Sequence, residues 1–351
     1  MSCVFLLTVL ATPRASLRQG AEAYAVATAS SPLHCPCDDP RLCAPITGPP
    51  VAAKEIFGFV GGNGASVDFT RVTSIAWISD PAVVCAAHAA GTRVIIAAPR
   101  PEQAFSANHT VRRLWVREAV AAVQHSFADG ITFDWELPCA AGCANATYYS
   151  LLIAETRAAL QQLSPSYQVS VCVAWSPDGI DGRNYDVVSF ARAADLLYVM
   201  DYDTRSQIVD ACIAGANAPL PGTVRGISRY LALGIPPSQL ILGVPWYGYR
   251  YPCLPGTASD ARFCPIASRP FRGVNCSDAA GTEVPVSSML QRLANSTTGL
   301  QWDESQGAPY FNTVEAGGSR CNTGLTTSPR SHRSMHTHEH SGCAVWGRSP
   351  S

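Results

Sequence analysis

Short apolar runs alternate with longer stretches of helical spacing through most of the chain. The runs predict strands over 55–60, 72–78, 93–98, 168–174, 196–200 and 240–244, with a further one carrying residues 129–136. Between them the spacing predicts helices over 81–90, 108–128, 146–163, 184–194 and 223–233. In the second of these, Val111, Leu114, Trp115, Ala119, Ala122 and Val123 recur at helical intervals. The strands are apolar nearly throughout instead of alternating with polar residues, as in a parallel sheet covered on both faces. Such repeated βα units place the chain in the α/β class, as a (β/α)8 TIM barrel. Seven strands are found; the eighth and its helix are not, so the barrel is expected to be incomplete at its C-terminal end.

The central strand reads Asp129-Gly130-Ile131-Thr132-Phe133-Asp134-Trp135-Glu136. Side chains two apart on a strand project to the same face, so Asp134 and Glu136 form a carboxylate pair, with Asp129 as a third candidate. Like charges this close do not all ionise easily. One proton is therefore expected to be held near neutral pH, as a general acid requires. Polar or aromatic clusters also end later strands: Trp175-Ser176-Pro177, Tyr202 with Asp203, and Trp246 with Tyr247. A closed parallel barrel brings these ends to one face. Singly each has a plain explanation, since a tryptophan is most often core and Asp203 could cap a helix. Their coincidence at one end of successive strands favours a common site. Carboxylates ringed by aromatic faces suit a sugar, whose ring faces stack and whose hydroxyls need acceptors.

The 351 residues carry a formal net charge of −1 and are 47% hydrophobic, which suits one large domain and argues against a nucleic-acid partner. No apolar run is long enough to span a bilayer, so no membrane partner is expected. The 14 cysteines are scattered rather than grouped as zinc knuckles, which favours an oxidising compartment. Sequons at Asn108, Asn145, Asn275 and Asn295 agree. Cys35, Cys37 and Cys43 predict a disulfide-tied N-terminal segment, with a metal site as the weaker alternative. Cys139 and Cys143 predict a bridge within their loop or to a neighbouring one, while Cys253, Cys264 and Cys276 predict that an insertion over about 250–284 is tied down. Residues 1–31 are expected to lie outside the fold as a signal peptide or disordered terminus. The run Val4 to Ala11 resembles a signal h-region, although the positive n-region is missing.

The acidic run resembles the signature D-G-x-D-x-D-x-E of glycoside hydrolase family 18, the chitinase family, and Met200-Asp201-Tyr202-Asp203 resembles its M-x-Y-D signature. The blocks Val173-Ala174-Trp175-Ser176-Pro177, Ala216-Asn217-Ala218-Pro219, Gly243-Val244-Pro245-Trp246-Tyr247-Gly248-Tyr249 and Cys276-Ser277-Asp278-Ala279-Ala280-Gly281 are similar to a lysosomal branch of that family. The similarity runs from about Cys35 to Asn312. It implies a monomeric lysosomal glycosidase acting on N-acetylglucosamine-containing oligosaccharides, the GlcNAc-β-1,4-GlcNAc core of asparagine-linked glycans. It further implies that Glu136 is the general acid and later the base, and that the substrate's acetamido carbonyl is the nucleophile, so no cofactor or metal is needed. Asp134 would orient the acetamido group with help from Tyr202, and Asp129, Trp175, Asp203, Trp246 and Tyr247 would bind sugar. Thr132 departs from the signature, which carries an acid there. The competing class is a non-catalytic carbohydrate-binding relative. Lectins of this fold typically lose the acid, and Glu136 is present.

Beyond Phe311-Asn312 the family's aromatic loop, final strand and closing helix are not found. Residues 314–351, rich in Ser, Arg, His, Gly and Thr, read as a disordered aberrant tail. With one choice of codons, 318–328 contains in another frame an aromatic run like the missing loop, so the tail reads as a shifted frame or mis-joined exon. An inactive, truncated product is therefore a third expectation. His336, His338 and His340 could bind metal but are not assigned that role.

Overall fold

A computed structural model of the chain describes residues 34–48, 54–60, 67–77, 80–315 and 320–324, with the backbone of 345–346. The expected terminal segment 1–31 and the histidines of the tail lie outside the described residues. Seven strands run parallel in sequence order: β1 (Phe57–Phe59), β2 (Ser74–Ala76), β3 (Arg93–Ala97), β4 (Gly130–Phe133), β5 (Gln168–Ala174), β6 (Leu196–Met200) and β7 (Leu240–Gly243). Helices α1 (Pro81–Ala89), α2 (His109–His125), α3 (Ala144–Leu163), α4 (Val187–Ala193) and α5 (Leu220–Ala232) fill the crossovers. This is the expected α/β barrel wall.

Strand parity divides the core. Phe57, Ala76, Ile95, Cys172, Tyr198, Met200 and Ile241 form a cluster inside the curved sheet. Ile131, Phe133, Val169, Val171, Val173, Leu197 and Val199 point outwards, where they pack with helix residues such as Trp115, Val123, Leu152, Ile153 and Phe190. Burial on both faces explains the lack of polar alternation. Gly130 is required where β4 passes β5, because an added Cβ would lie 2.0 Å from the Gln168 carbonyl oxygen.

Helix ends differ from the periodicity for identifiable reasons. α5 begins at Leu220, earlier than expected, because proline is tolerated in a first turn whose N–H groups lack intrahelical partners. α4 begins later than expected, at Val187, with Asp186 capping it by accepting a hydrogen bond from the Ser189 amide at 3.0 Å.

Beyond β7 the chain builds a second sheet that the apolar pattern did not reveal. Strands β8 (Tyr247–Pro252), β9 (Thr282–Pro285), β10 (Gln301–Asp303), β11 (Ala308–Val314) and β12 (Arg320–Gly324) form an antiparallel sheet ordered β10-β11-β12-β8-β9, with helix α6 (Val286–Leu293) beside it. This corrects the expectation that the fold ends near residue 313. β12 pairs with β11 from Tyr310↔Gly324 to Val314↔Arg320 and with β8 from Tyr249↔Gly324 to Pro252↔Cys321. Asn322 donates to Asn312 at 2.8 Å inside that sheet, so this part of the tail satisfies buried polar groups.

A two-residue strand, β13 (Val345–Trp346), adds to β7 in antiparallel sense. Among the described residues β1 pairs only with β2, so the sheet ends at β1 and β13 and the barrel stays open between them. No helix among the described residues is long and apolar enough to cross a membrane.

Among the described residues ten cysteines are paired: Cys35–Cys43, Cys37–Cys85, Cys139–Cys143, Cys212–Cys276 and Cys253–Cys264. Disulfide bonding removes Cys35, Cys37 and Cys43 as metal ligands, and the last two bridges tie the insertion to itself and to the loop after β6. Asn108, Asn145, Asn275 and Asn295 are all exposed.

Candidate active site

Asp134 and Glu136 leave the C-terminal end of β4, where the backbone departs from the sheet. Trp135 between them points outwards and is core, stacked on Tyr185 at 5.1 Å and edge-on to Phe105 at 4.7 Å. Those ring contacts fix the strand end and thereby the direction of both carboxylates. The Asp134 Oδ1 atom is buried without a hydrogen-bond partner among the described residues. Burial is the main cause that pushes the Asp134 carboxyl up to about 7; the negative charge of Glu136 adds to it, while the Arg183 guanidinium and the Cys172 thiol pull the other way.

Glu136 sits at the rim with half of its side chain exposed. Its Oε2 is 2.5 Å from Nη1 of Arg183, whose own side chain is only 9% exposed. Nη2 of Arg183 also faces Asp181 at 3.4 Å. The β4 and β5 loops are joined to present this arginine: the Cys139 amide donates to the Gly182 carbonyl at 2.8 Å, and the Asn184 amide donates to the Cys139 carbonyl at 3.0 Å. The Cys139–Cys143 bridge holds the first of these loops. Arg183 was not singled out from sequence; a cation in the loop directly after Trp175-Ser176-Pro177 was the available signal.

From β6 come Tyr202, facing the barrel interior, and Asp203. The Tyr202 ring lies 6.2 Å from that of Tyr247. Asp203 has a left-handed backbone (φ 52°), held by its amide donating to Oδ1 of buried Asn217 at 2.6 Å. Its Oδ1 accepts from the Tyr247 hydroxyl at 2.8 Å and the Tyr249 hydroxyl at 3.1 Å. Burial raises Asp203 to about 6, against the lowering effect of Tyr247, and the charges of Glu283 and Glu136 raise it further. Asp134, Glu136, Tyr202, Asp203 and Tyr247 are thus gathered at one end of the sheet. Trp246 lies in the turn between β7 and β8 and is 48% exposed.

Two expected sugar contacts lie elsewhere. Asp129 precedes β4 at the end opposite to Asp134 and Glu136. It is fully buried. Its carboxylate accepts from the Ile46 amide at 2.6 Å and the Val94 amide at 2.7 Å, and pairs with His88 Nε2 at 2.8 Å. Trp175 falls on the outward parity of its strand, where Arg225 of α5 stacks 5.1 Å from its ring. Conversely, Trp77, which falls within the strand expected over 72–78, follows β2 with a left-handed backbone (φ 68°), is 41% exposed, and meets Phe59 edge-on at 5.1 Å.

The insertion closes one side. Arg272 at its tip donates to the Asp181 carbonyl, the Gln207 side chain donates to the Arg272 carbonyl at 2.8 Å, and the Asp278 amide donates to the Arg205 carbonyl at 3.1 Å. Ser206 donates to Asp181 Oδ1 at 2.7 Å. The loops after β5 and β6 therefore meet the insertion beside Glu136. A buried acid that retains its proton, next to an exposed carboxylate under an arginine, can exchange protons with a bound substrate.

Residues 90–317 match the model of the glycosyl hydrolases family 18. The chain is 38% identical to di-N-acetylchitobiase of Mus musculus over 81% of this chain and 77% of that protein, and 36% identical to the enzyme of that name from Homo sapiens, over 81% and 74%. Among solved structures, a GH18 chitinase from Cycas revoluta in complex with (GlcNAc)3 superposes with a TM-score of 0.60 at 16% identity, covering 77% of this chain and 87% of that one. That likeness concerns the fold, whereas the family match and the relatives concern descent: this chain belongs to the glycosyl hydrolases of family 18.

Proposed function

We propose that this glycosyl hydrolase cleaves the GlcNAc-β-1,4-GlcNAc bond of N,N'-diacetylchitobiose units, with Glu136 as the acid and base of a substrate-assisted, retaining reaction. The observation that carries the reading is the unequal pair at the end of β4: a buried Asp134 held up to about 7 beside a rim carboxylate paired with Arg183. Relatives named di-N-acetylchitobiase at 36–39% identity supply the substrate class.

In the resting site the shared proton resides on Asp134. When the 2-acetamido group enters, its N–H donates to the Asp134 carboxylate and favours the anion, so the proton moves to Glu136. Glu136 then protonates the glycosidic oxygen as the acetamido carbonyl oxygen attacks C1, forming an oxazolinium ion and releasing the leaving sugar. Asp134 and Tyr202 stabilise the charge developing on the acetamido group. Glu136 next removes a proton from the water that attacks C1, the oxazolinium opens, and the β configuration is retained. Asp203, Tyr247, Trp246 and Trp77 form the sugar-binding wall.

The chain works as a glycosylated monomer in the lysosome. Five disulfides and four exposed sequon asparagines support passage through the secretory pathway. The test is release of N-acetylglucosamine from N,N'-diacetylchitobiose by the purified chain and by Glu136→Gln. Loss of activity in the variant supports the acid; equal rates in both would overturn it, and sugar binding without turnover in the unmodified chain would make it a lectin.

A further inference from the structure

Thr132 stands where the family signature carries an acid, which leaves open what steadies Asp134 from below. The register of β4 on β5 runs Thr132↔Ser170 and Phe133↔Val171. The next position sets Cys172 beside Asp134, on the face that points into the barrel. Cys172 is one of two unpaired cysteines among the described residues and is buried, as is Thr132. Thr132 Oγ1 lies 4.0 Å from Cys172 Sγ, within range of a sulfur hydrogen bond. Two donors thus stand in sequence under the buried carboxyl: the threonine hydroxyl can donate to sulfur, which leaves the S–H free to donate to Asp134.

We propose that Cys172, oriented by Thr132, is the positioning residue for Asp134, and that its thiol donates to the aspartate anion at the stage when the acetamido group is engaged. This rests on the chitobiose-cleaving reading of the same site. The thiol takes no part in bond making: the proton passes between Asp134, Glu136 and substrate, and S–H remains a donor throughout. Other groups acting on Asp134 are Glu136 on its own segment, Arg183 from the β5 loop, Tyr149 from α3 and Tyr185 before α4. None of these is a neutral donor on the barrel-interior face, where Tyr198 and Tyr202 of the β6 segment also stand, Tyr202 being assigned to the acetamido group. The thiol hydrogen bond lowers the Asp134 pKa, in line with preferential stabilisation of the anion.

Cys172→Ala removes the donor and Cys172→Ser keeps one, while both remove the sulfur's bulk. One net hydrogen bond corresponds to about threefold to tenfold in an equilibrium. Cys172→Ala is expected to lower kcat on chitobiose by about that factor with KM within about twofold, and to raise the Asp134 titration midpoint, followed by the carboxyl carbon resonance in labelled protein. Cys172→Ser is expected to restore kcat and midpoint to near those of the unmodified chain. An unmoved midpoint in Cys172→Ala, or serine and alanine variants that fall alike, would overturn the proposal, the latter outcome identifying Cys172 as packing alone. Because the resonance needs no turnover, this readout decides the role of Cys172 even if Glu136→Gln overturns the proposed reaction.

Discussion

Asp129 belongs to the acidic signature, yet its position predicts that its removal damages stability and spares chemistry. In Asp129→Ala the Ile46 and Val94 amides lose an acceptor and His88 loses its partner, all at a fully buried locus. Hydrogen bonds to a charged group contribute about 1.5–3 kcal/mol each and are not additive, and breaking a buried ion pair from one side costs about 3–5 kcal/mol. The latter is the expected loss here. With roughly 280 described residues and an unfolding entropy of ~2.1 cal/mol/K per residue, that loss lowers Tm by about 5–9 °C. Calorimetry at fixed scan rate measures the shift, and steady-state kinetics well below Tm should give kcat within about twofold of the unmodified chain. Asp129→Asn, which keeps one acceptor, should fall between. An unchanged Tm together with a collapsed kcat would refute the reasoning and return Asp129 to the sugar site.

Stability should peak on the acid side. Burial, chiefly, lifts Asp134 and Asp278 to about 7 and Asp201 and Asp203 to about 6. The folded state therefore binds more protons than the unfolded one between roughly pH 4 and 7, and stability falls as pH rises through that window. Asp303 acts oppositely: despite desolvation, hydrogen bonds from Ser305, Gln306 and Arg262 lower it to about 2, so its contribution is lost as pH falls below about 4. Melting from pH 3 to 8 should give the highest Tm near pH 4–5, and a Tm that climbs steadily to pH 7.5 would contradict these assignments. Arg183→Gln should lower kcat by about threefold to tenfold and also lower Tm by a few degrees, because the guanidinium is only 9% exposed and serves Asp181 as well as the half-exposed Glu136. Unaltered turnover would show the pair to be incidental.

The parallel barrel was legible because strands covered on both faces leave continuous apolar runs, as at 94–98 and 196–200. The antiparallel sheet was not, since β11 reads Ala-Pro-Tyr-Phe-Asn-Thr-Val and β12 Arg-Cys-Asn-Thr-Gly, mixed segments with neither a continuous apolar run nor a clean alternation. Spacing alone proposed the Asp134 and Glu136 pair. Asp129 was put forward by its nearness and its place in the acidic signature, whereas its odd separation of five residues from Asp134 sets it on the other face of the strand. Trp175 failed on parity, one residue past a strand whose inward positions are even-numbered. Arg183 and Trp77 were missed because loop geometry, including the left-handed backbone at Trp77, has no periodic signature.

The central claim is that an acetamido group completes the site. The direct measurement is hydrolysis of N,N'-diacetylchitobiose beside cellobiose, which keeps the β-1,4 linkage but has a hydroxyl at carbon 2, followed by proton NMR. Cleavage of chitobiose alone, with the β anomer of the newly formed reducing sugar appearing first, is the predicted result. Comparable cleavage of cellobiose, or the α anomer appearing first, would contradict it.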